Sequence, residues 1–345
     1  MPPPLSDAQE TSLAAFSAYD LPSVEALVRY FHAAAGFPVK DTWLAAIKQG
    51  NYDTWPGLTY NNAAKYCPSA NETLKGHMVQ TRQGVRSTKP KKPATQSPAP
   101  EEQPPEKVDQ SPSQELFVQV VHTSKLYTDD CGRFPIKARS GNQYLMIAYH
   151  RDSNAILCEP FKTRADKHRL QAYDAIMQRL SERGLHVDLQ ILDNEASKEF
   201  KQLMKSKWKV SYQLVPPNVH RRNAAERAIR TFKAHFLSIL AGVSPDFPAN
   251  LWDRLLPQAE MTLNFLRQSR INPKISAWEF YNGPFDFDAT PLGPLGCRVI
   301  IHKKTDSRQS WDFRGKDGWS VGVSLEHYRC QRVDWFGSWV DRGST

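Results

Sequence analysis

The sequence predicts an α/β protein built on a mixed five-stranded sheet with flanking helices, preceded by a small helical module and followed by a small β-rich module. Two observations point there. Three short strand-like runs follow one another directly and are then succeeded by helix, strand, helix, strand and helix, the order expected of a sheet with both antiparallel and parallel pairs. Further on, Ala225, Ile229, Phe232, Phe236 and Leu240 recur at steps of 4, 3, 4 and 4, the period of a helix that buries one face against such a sheet.

Residues 1–20 read as a disordered leader. The helical module, 21–85, opens with LPSVEALVRYFHAAAG, where Ser23 supplies an N-cap and Gly36 a stop. KDTWLAAIKQG gives a second helix ending at Gly50, and a third stops at Pro68. So small a module lies close to the lower limit for a self-standing core, and packing of Trp43, Trp55 and Leu58 is expected to hold it. Residues 86–115 form a linker: seven prolines fall between Arg86 and Ser113 and Val108 is the one aliphatic residue larger than alanine, too little apolar surface to fold. Its KPKKP, Lys89 to Pro93, is a candidate import signal set against plain solubilising charge.

The core, 116–272, begins with LFVQVVHTSKLYTDD, QYLMIAYH and AILCEPFK, which read as strands joined by turns at Ser140–Asn142 and Arg151–Asn154. TRADKHRLQAYDAIMQRLSERG is a helix with Leu170, Tyr173, Ile176, Met177 and Leu180 on one face; VDLQILDN is a strand, ASKEFKQLMKSKW a helix and KVSYQLV a strand. The long helix follows, and then ANLWDRLLPQAEMTLNFLRQSR, a helix interrupted at Pro257. From 273 to 345 the pattern turns to short strands, GCRVIIHKK, GWSVGVSL and HYRCQRVDW.

Charge and cysteine usage narrow the function. A net charge of +9 favours a polyanionic partner, and the basic residues cluster in Lys162–Arg169, Lys205–Lys209 and His220–Arg222, as phosphate contacts require. Five cysteines without a CxxC pair argue against a disulfide framework or a self-evident zinc site. No apolar run reaches a membrane span, and no secretory signal is present, so no membrane partner is expected and an intracellular location is.

Three carboxylates stand at element ends: Asp129 closes the first strand, Asp193 the fourth, and Glu226 opens the helix after the fifth. Along its own helix face Glu226 has Arg222 at i−4, Arg230 at i+4 and Lys233 at i+7. Surface ion pairing explains such a row in an arbitrary helix. Carboxylates converging at one sheet edge instead need a neutralising cation, and oxygen ligands suit Mg²⁺ or Mn²⁺; two such ions serve phosphodiester chemistry.

LYTDDCGRFP, LQILDNEASKEF and PPNVHRRNAAERAIRTFK resemble the three acidic motifs of retroviral and retrotransposon integrases, nearest to those of copia-type long-terminal-repeat elements. The resemblance implies an RNase H-like fold and a polynucleotidyl transferase that trims element DNA ends and joins them to target DNA. It implies Asp129, Asp193 and Glu226 as catalytic ligands of two Mg²⁺ or Mn²⁺ ions, with Asp129 preferred over Asp130 because the family's acid shortly precedes a small residue and glycine, here Cys131 and Gly132. DNA contact is implied for Asn218, His220, Arg221, Arg222, Arg230 and Lys233, along with homo-oligomerisation and a nuclear or nucleoprotein-particle location. Asp193 and Glu226 enclose 32 residues, three fewer than the D,D(35)E pattern counts. The family's HHCC zinc module is matched only at His32 and Cys67, with His77 a substitute candidate; one histidine and one cysteine do not make a tetrahedral site, so zinc is not expected. The alternatives are an inactive nucleic-acid-binding relic or domesticated integrase-fold protein, and RNase H-type cleavage of a hybrid. Without reverse transcriptase or protease patterns, the chain fits one piece of a polyprotein or a genomic fragment.

Overall fold

The computed structural model describes residues 21–78, 123–192, 197–215, 224–302 and 310–335, all within one compact unit. The expected leader and linker, and the run Leu116–Val121, lie outside the described residues. Four helices come first: α1 (Val24–Ala34), α2 (Lys40–Lys48), α3 (Tyr60–Tyr66) and α4 (Asn71–His77). The core follows as β1 (Lys125–Asp130), β2 (Tyr144–His150), β3 (Ala155–Phe161), α5 (Asp166–Glu182), β4 (Leu189–Leu192), α6 (Lys198–Ser206), β5 (Ser211–Leu214) and α7 (Ala224–Gly242). A 3₁₀ helix (Ala249–Leu255), α8 (Leu256–Phe265), α9 (Ala277–Asn282) and the strands β6 (Arg298–His302), β7 (Gly315–Val323) and β8 (Gln331–Trp335) complete it.

The first sheet has the order β3-β2-β1-β4-β5. β1, β2 and β3 pair antiparallel, and β4 and β5 run parallel to β1. This is the mixed five-stranded arrangement expected from the order of periodicities, and the RNase H-like one that the resemblance implied. Strand alternation sorts the side chains into two layers. Leu126, Met146, Ala148 and Leu157 meet Tyr173, Ile176 and Leu180 of α5, Phe200 and Met204 of α6 and Tyr281 of α9. Ile147, Tyr149, Ile156 and Cys158 meet Phe232, Phe236 and Ile239 of α7 and Leu256, Ala259 and Leu263 of α8.

The β3 edge is closed by side chains in place of a sixth strand. Asn264 of α8 accepts from the Ile156 amide at 2.9 Å and donates to its carbonyl at 2.9 Å. One turn earlier Glu260 accepts from the Cys158 amide at 2.7 Å, and Arg179 donates to the Cys158 carbonyl at 2.9 Å. Three residues after Asn264, Arg267 donates to the Asn154 carbonyl at 2.7 Å. Pro160 has no N–H to satisfy. Positions 260 and 264 lie on one face of α8 and Arg267 stands just past its end, so this segment reads the edge as a strand would.

The amino-terminal helices are not a separate body. Phe31, Trp43, Tyr52 and Trp55 are buried in one cluster with Met261 and Phe265 of α8, Trp278 of α9 and Phe287, so their large rings are sheltered by the core at roughly 1.5–3 kcal/mol each. A fourth helix, α4, not foreseen in the sequence, crosses α7 so closely that a Cβ on Gly76 would stand 2.0 Å from Ser238 Oγ and 2.5 Å from the Ala234 carbonyl. Similarly, Trp319 and Val321 of β7 enter the α7–α8 cluster and Val323 the amino-terminal one. The segments 21–85, 116–272 and 273–345, set apart by sequence pattern, therefore share their cores where described. Pro257 also behaves differently from the expected interruption: it sits in the first turn of α8, where its missing N–H costs nothing, and the residues before it wind as 3₁₀. Among the described residues no helix is long and apolar enough to cross a membrane.

Candidate active site

Because successive side chains on a strand point to opposite faces, the adjacent carboxylates of Asp129 and Asp130 cannot act together. Asp130 falls on the α5 layer. There Arg169 of α5 donates from Nε to its Oδ2 at 2.6 Å, and the Asp130 side chain is only 9% exposed. Asp129 falls on the other face, in register with Tyr127 and Cys131, both of which belong to the α7 layer. One oxygen of Asp129 accepts the Asp130 amide at 2.8 Å.

Glu226 lies in the first turn of α7 and is half-buried. Its neighbours fix which way the turn faces. Ala225 and Ala228 are buried, and Ala224 and Ile229 pack against the cluster that holds Tyr127 and Cys131. Arg230 and Lys233, four and seven residues on, are exposed on the Glu226 side of the helix. That arrangement brings the helix carrying Glu226 onto the sheet face that Asp129 occupies.

The electrostatics of Cys131 report how close these charges are. Burial pushes its thiol up to about 12; the charge of Lys233 opposes the shift, and the carboxylates of Asp129 and Asp130 add to it. Lys233 therefore shares a field with Asp129 across the β1–α7 contact, and burial keeps the thiol protonated. Carboxylate oxygens are hard donors that fit Mg²⁺ or Mn²⁺ and not a thiol-rich zinc centre.

Asp193, Asn218, His220, Arg221 and Arg222 lie outside the described residues. The residue before Asp193, Leu192, ends β4, which runs beside β1 with Tyr127 opposite Ile191. Among the described residues no group of three His, Cys, Asp or Glu side chains is placed to hold a metal ion. His32 is buried in the amino-terminal core, with Nε2 2.9 Å from the Pro38 carbonyl and its ring edge-on to Trp43. Burial lowers it to about 4, as expected of a neutral core histidine. Cys67 caps α3 and is half-buried, and its thiol is raised by burial. His77 ends α4, facing His235 of α7 closely enough that its charge adds to the burial depressing His235 to about 3.

The two basic runs in the core separate in space. β3 ends at the same side of the sheet as β1, since Asp130 pairs Met146 and Met146 pairs Glu159, so Lys162–Arg169 stands at the carboxylate end. Lys205–Lys209 precedes β5, which is parallel to β1, and so lies at the opposite end. Within it Lys207 is held by Asp174 at 2.6 Å. Arg169 is the residue that sequence inspection could not single out: the run suggested phosphate contact, and its guanidinium goes instead to a carboxylate 39 residues away.

No family model and no curated protein matches the chain. Among solved structures it is similar to a simian T-cell lymphotropic virus intasome in complex with PP2A regulatory subunit B56 gamma, at 14% identity over 64% of this chain and 80% of that one, with a TM-score of 0.37. It is similar also to the catalytic core domain of BIV integrase, at 15% identity over 46% of this chain and 94% of that one (TM-score 0.35). A third likeness is to the HTLV-2 integrase catalytic core domain in complex with magnesium, at 17% identity over 47% and 96% of the two chains (TM-score 0.33). Likenesses this distant fix no residue role in this chain.

Proposed function

We propose that the chain is an integrase of the copia-type retrotransposon class, a polynucleotidyl transferase that processes element DNA 3′ ends and joins them to target DNA as an oligomer. One observation supports this above the others: alternation along β1 presents Asp129 on the layer of the helix that carries Glu226, while Arg169 withdraws the competing Asp130 to the far layer. Asp129, Asp193 and Glu226 are the residues that would hold Mg²⁺ or Mn²⁺. Bound there, the ions supply positive charge that activates an attacking hydroxyl and stabilises the departing oxygen. Arg230 and Lys233, exposed beside Glu226, bind the phosphates of the donor end, with Asn218, His220, Arg221 and Arg222 continuing that contact along the chain. The spacing of 32 residues between Asp193 and Glu226 favours as second reading a nucleic-acid-binding relic that has lost the reaction.

A strand-transfer assay with Mg²⁺ or Mn²⁺ separates the possibilities. Asp129→Asn and Glu226→Gln are expected to lower joining by roughly 100-fold or more, and Asp130→Asn by far less. Equal loss from Asp129→Asn and Asp130→Asn would sink the assignment. DNA binding by the unmodified chain with no joining under either metal would establish the relic.

A further inference from the structure

We propose that the outer edge of β5 is a docking site for an extended acidic segment of a partner protein, which adds to the sheet as a sixth strand. The inference does not depend on the catalytic assignment. It starts from a contrast between the two edges of one sheet. At β3 the outward N–H and C=O groups of Ile156 and Cys158 are met by Asn264, Glu260 and Arg179. At β5 nothing comparable occurs among the described residues. Among the described residues that strand pairs with β4 alone. Ser211 and Val215 donate inward, to the carbonyls of Asp188 and Leu192, so alternation turns the N–H and C=O of Tyr212 and Leu214 outward. Leu214 is 37% exposed, and Ser211 and Gln213 are exposed beside it.

The flanking charge selects the guest. Nζ of Lys201 and of Lys205 stand 5.9 and 5.4 Å from the centre of the Tyr212 ring, and exposed Lys209 precedes the strand. Among the described residues these three have no carboxylate partner, in contrast to Lys207 with Asp174. A second copy of the chain would set lysine against lysine, the device by which edges resist self-association. An acidic strand meets the same charges with attraction. Nucleic acid would match the lysines but has a phosphate backbone that the outward carbonyls repel, whereas alternating donors and acceptors are what a peptide backbone offers.

Binding to the whole chain can be read with three probes: an eight-residue peptide alternating glutamate and valine, its twin N-methylated at alternate residues, and a single-stranded oligonucleotide of similar charge. The peptide is expected to bind and to slow hydrogen exchange at the Tyr212 and Leu214 amides about tenfold. The N-methylated twin, equal in charge but short of strand donors, should bind about tenfold more weakly. Leu214→Pro removes an N–H that β4 does not use and should cost about tenfold. Lys201→Glu with Lys205→Glu, at a half-buried and an exposed position of α6, gives the same loss without touching the backbone. No binding of the peptide, equal affinity for its N-methylated twin, or displacement by the oligonucleotide at comparable concentration would each overturn the proposal.

Discussion

Replacing Asn264 by leucine tests whether α8 holds the sheet edge. The side chain is 1% exposed, and its amide meets both polar groups of Ile156, each at 2.9 Å. Leucine fills nearly the same volume and can do neither. A buried N–H and a buried C=O left without partners cost about 1–3 kcal/mol each, while leucine's added apolar burial returns roughly 2 kcal/mol. The net is a loss of about 2 kcal/mol. In a unit of this size that lowers Tm by roughly 4–8 °C. Urea unfolding should show a lower midpoint with unchanged slope, since the surface exposed on unfolding is the same. Asn264→Asp should be as damaging or worse, because its carboxylate accepts the Ile156 amide but repels the carbonyl. Stability of Asn264→Leu within about 0.5 kcal/mol of the parent would refute the idea that this amide substitutes for a strand.

The neighbouring Arg179 binds Glu260, Glu159 and the Cys158 carbonyl; Arg179→Met should cost about 3–5 kcal/mol by leaving Glu260 buried without its cation, and a loss under about 1 kcal/mol in denaturant titration would contradict it. At the α4–α7 crossing, Gly76→Ala places a methyl inside van der Waals contact of Ser238 and Ala234; a loss of about 1–3 kcal/mol is expected, and limited proteolysis of the helices before residue 78 should accelerate. Burial depresses His32 to about 4 and His235 to about 3 from an ordinary 6.5. The unfolded chain therefore binds more protons below 6.5, so stability is full above that pH and falls as pH drops toward the folded values, by about 2 kcal/mol for each histidine at pH 5. His235→Gln should flatten that decline between pH 7 and 5, and an unchanged slope would remove His235 as its source.

Much of the fold was legible before any coordinates. The core strands, α5 and α6 lie within the runs marked by periodicity, α7 extends two residues beyond Leu240, and Ser23 caps α1 through the Ala26 amide at 3.1 Å. These are local signals, carried by propensity and by the burial of one face. What escaped was non-local. α4 has no buried residue and hence no apolar stripe to reveal it; its position rests on Gly76 meeting α7. The shared core of Trp55 with Phe265 and Phe287 joins segments more than 200 residues apart, which no composition boundary can show.

The site divides in the same way. The sequence alone determined that acidic residues end β1 and open α7, and that cations follow Glu226 at helical spacing, because strand and helix periods are properties of a few consecutive residues. Tertiary structure set Asp129 and Asp130 in different surroundings, since Arg169 arrives from α5 on one layer and α7 covers the other. It also decided that the basic run at 205–209 stands at the opposite end of the sheet from the carboxylates, where charge counted along the chain gives no direction. A strand's alternation is local, but which helix covers each face is fixed only when the whole sheet packs.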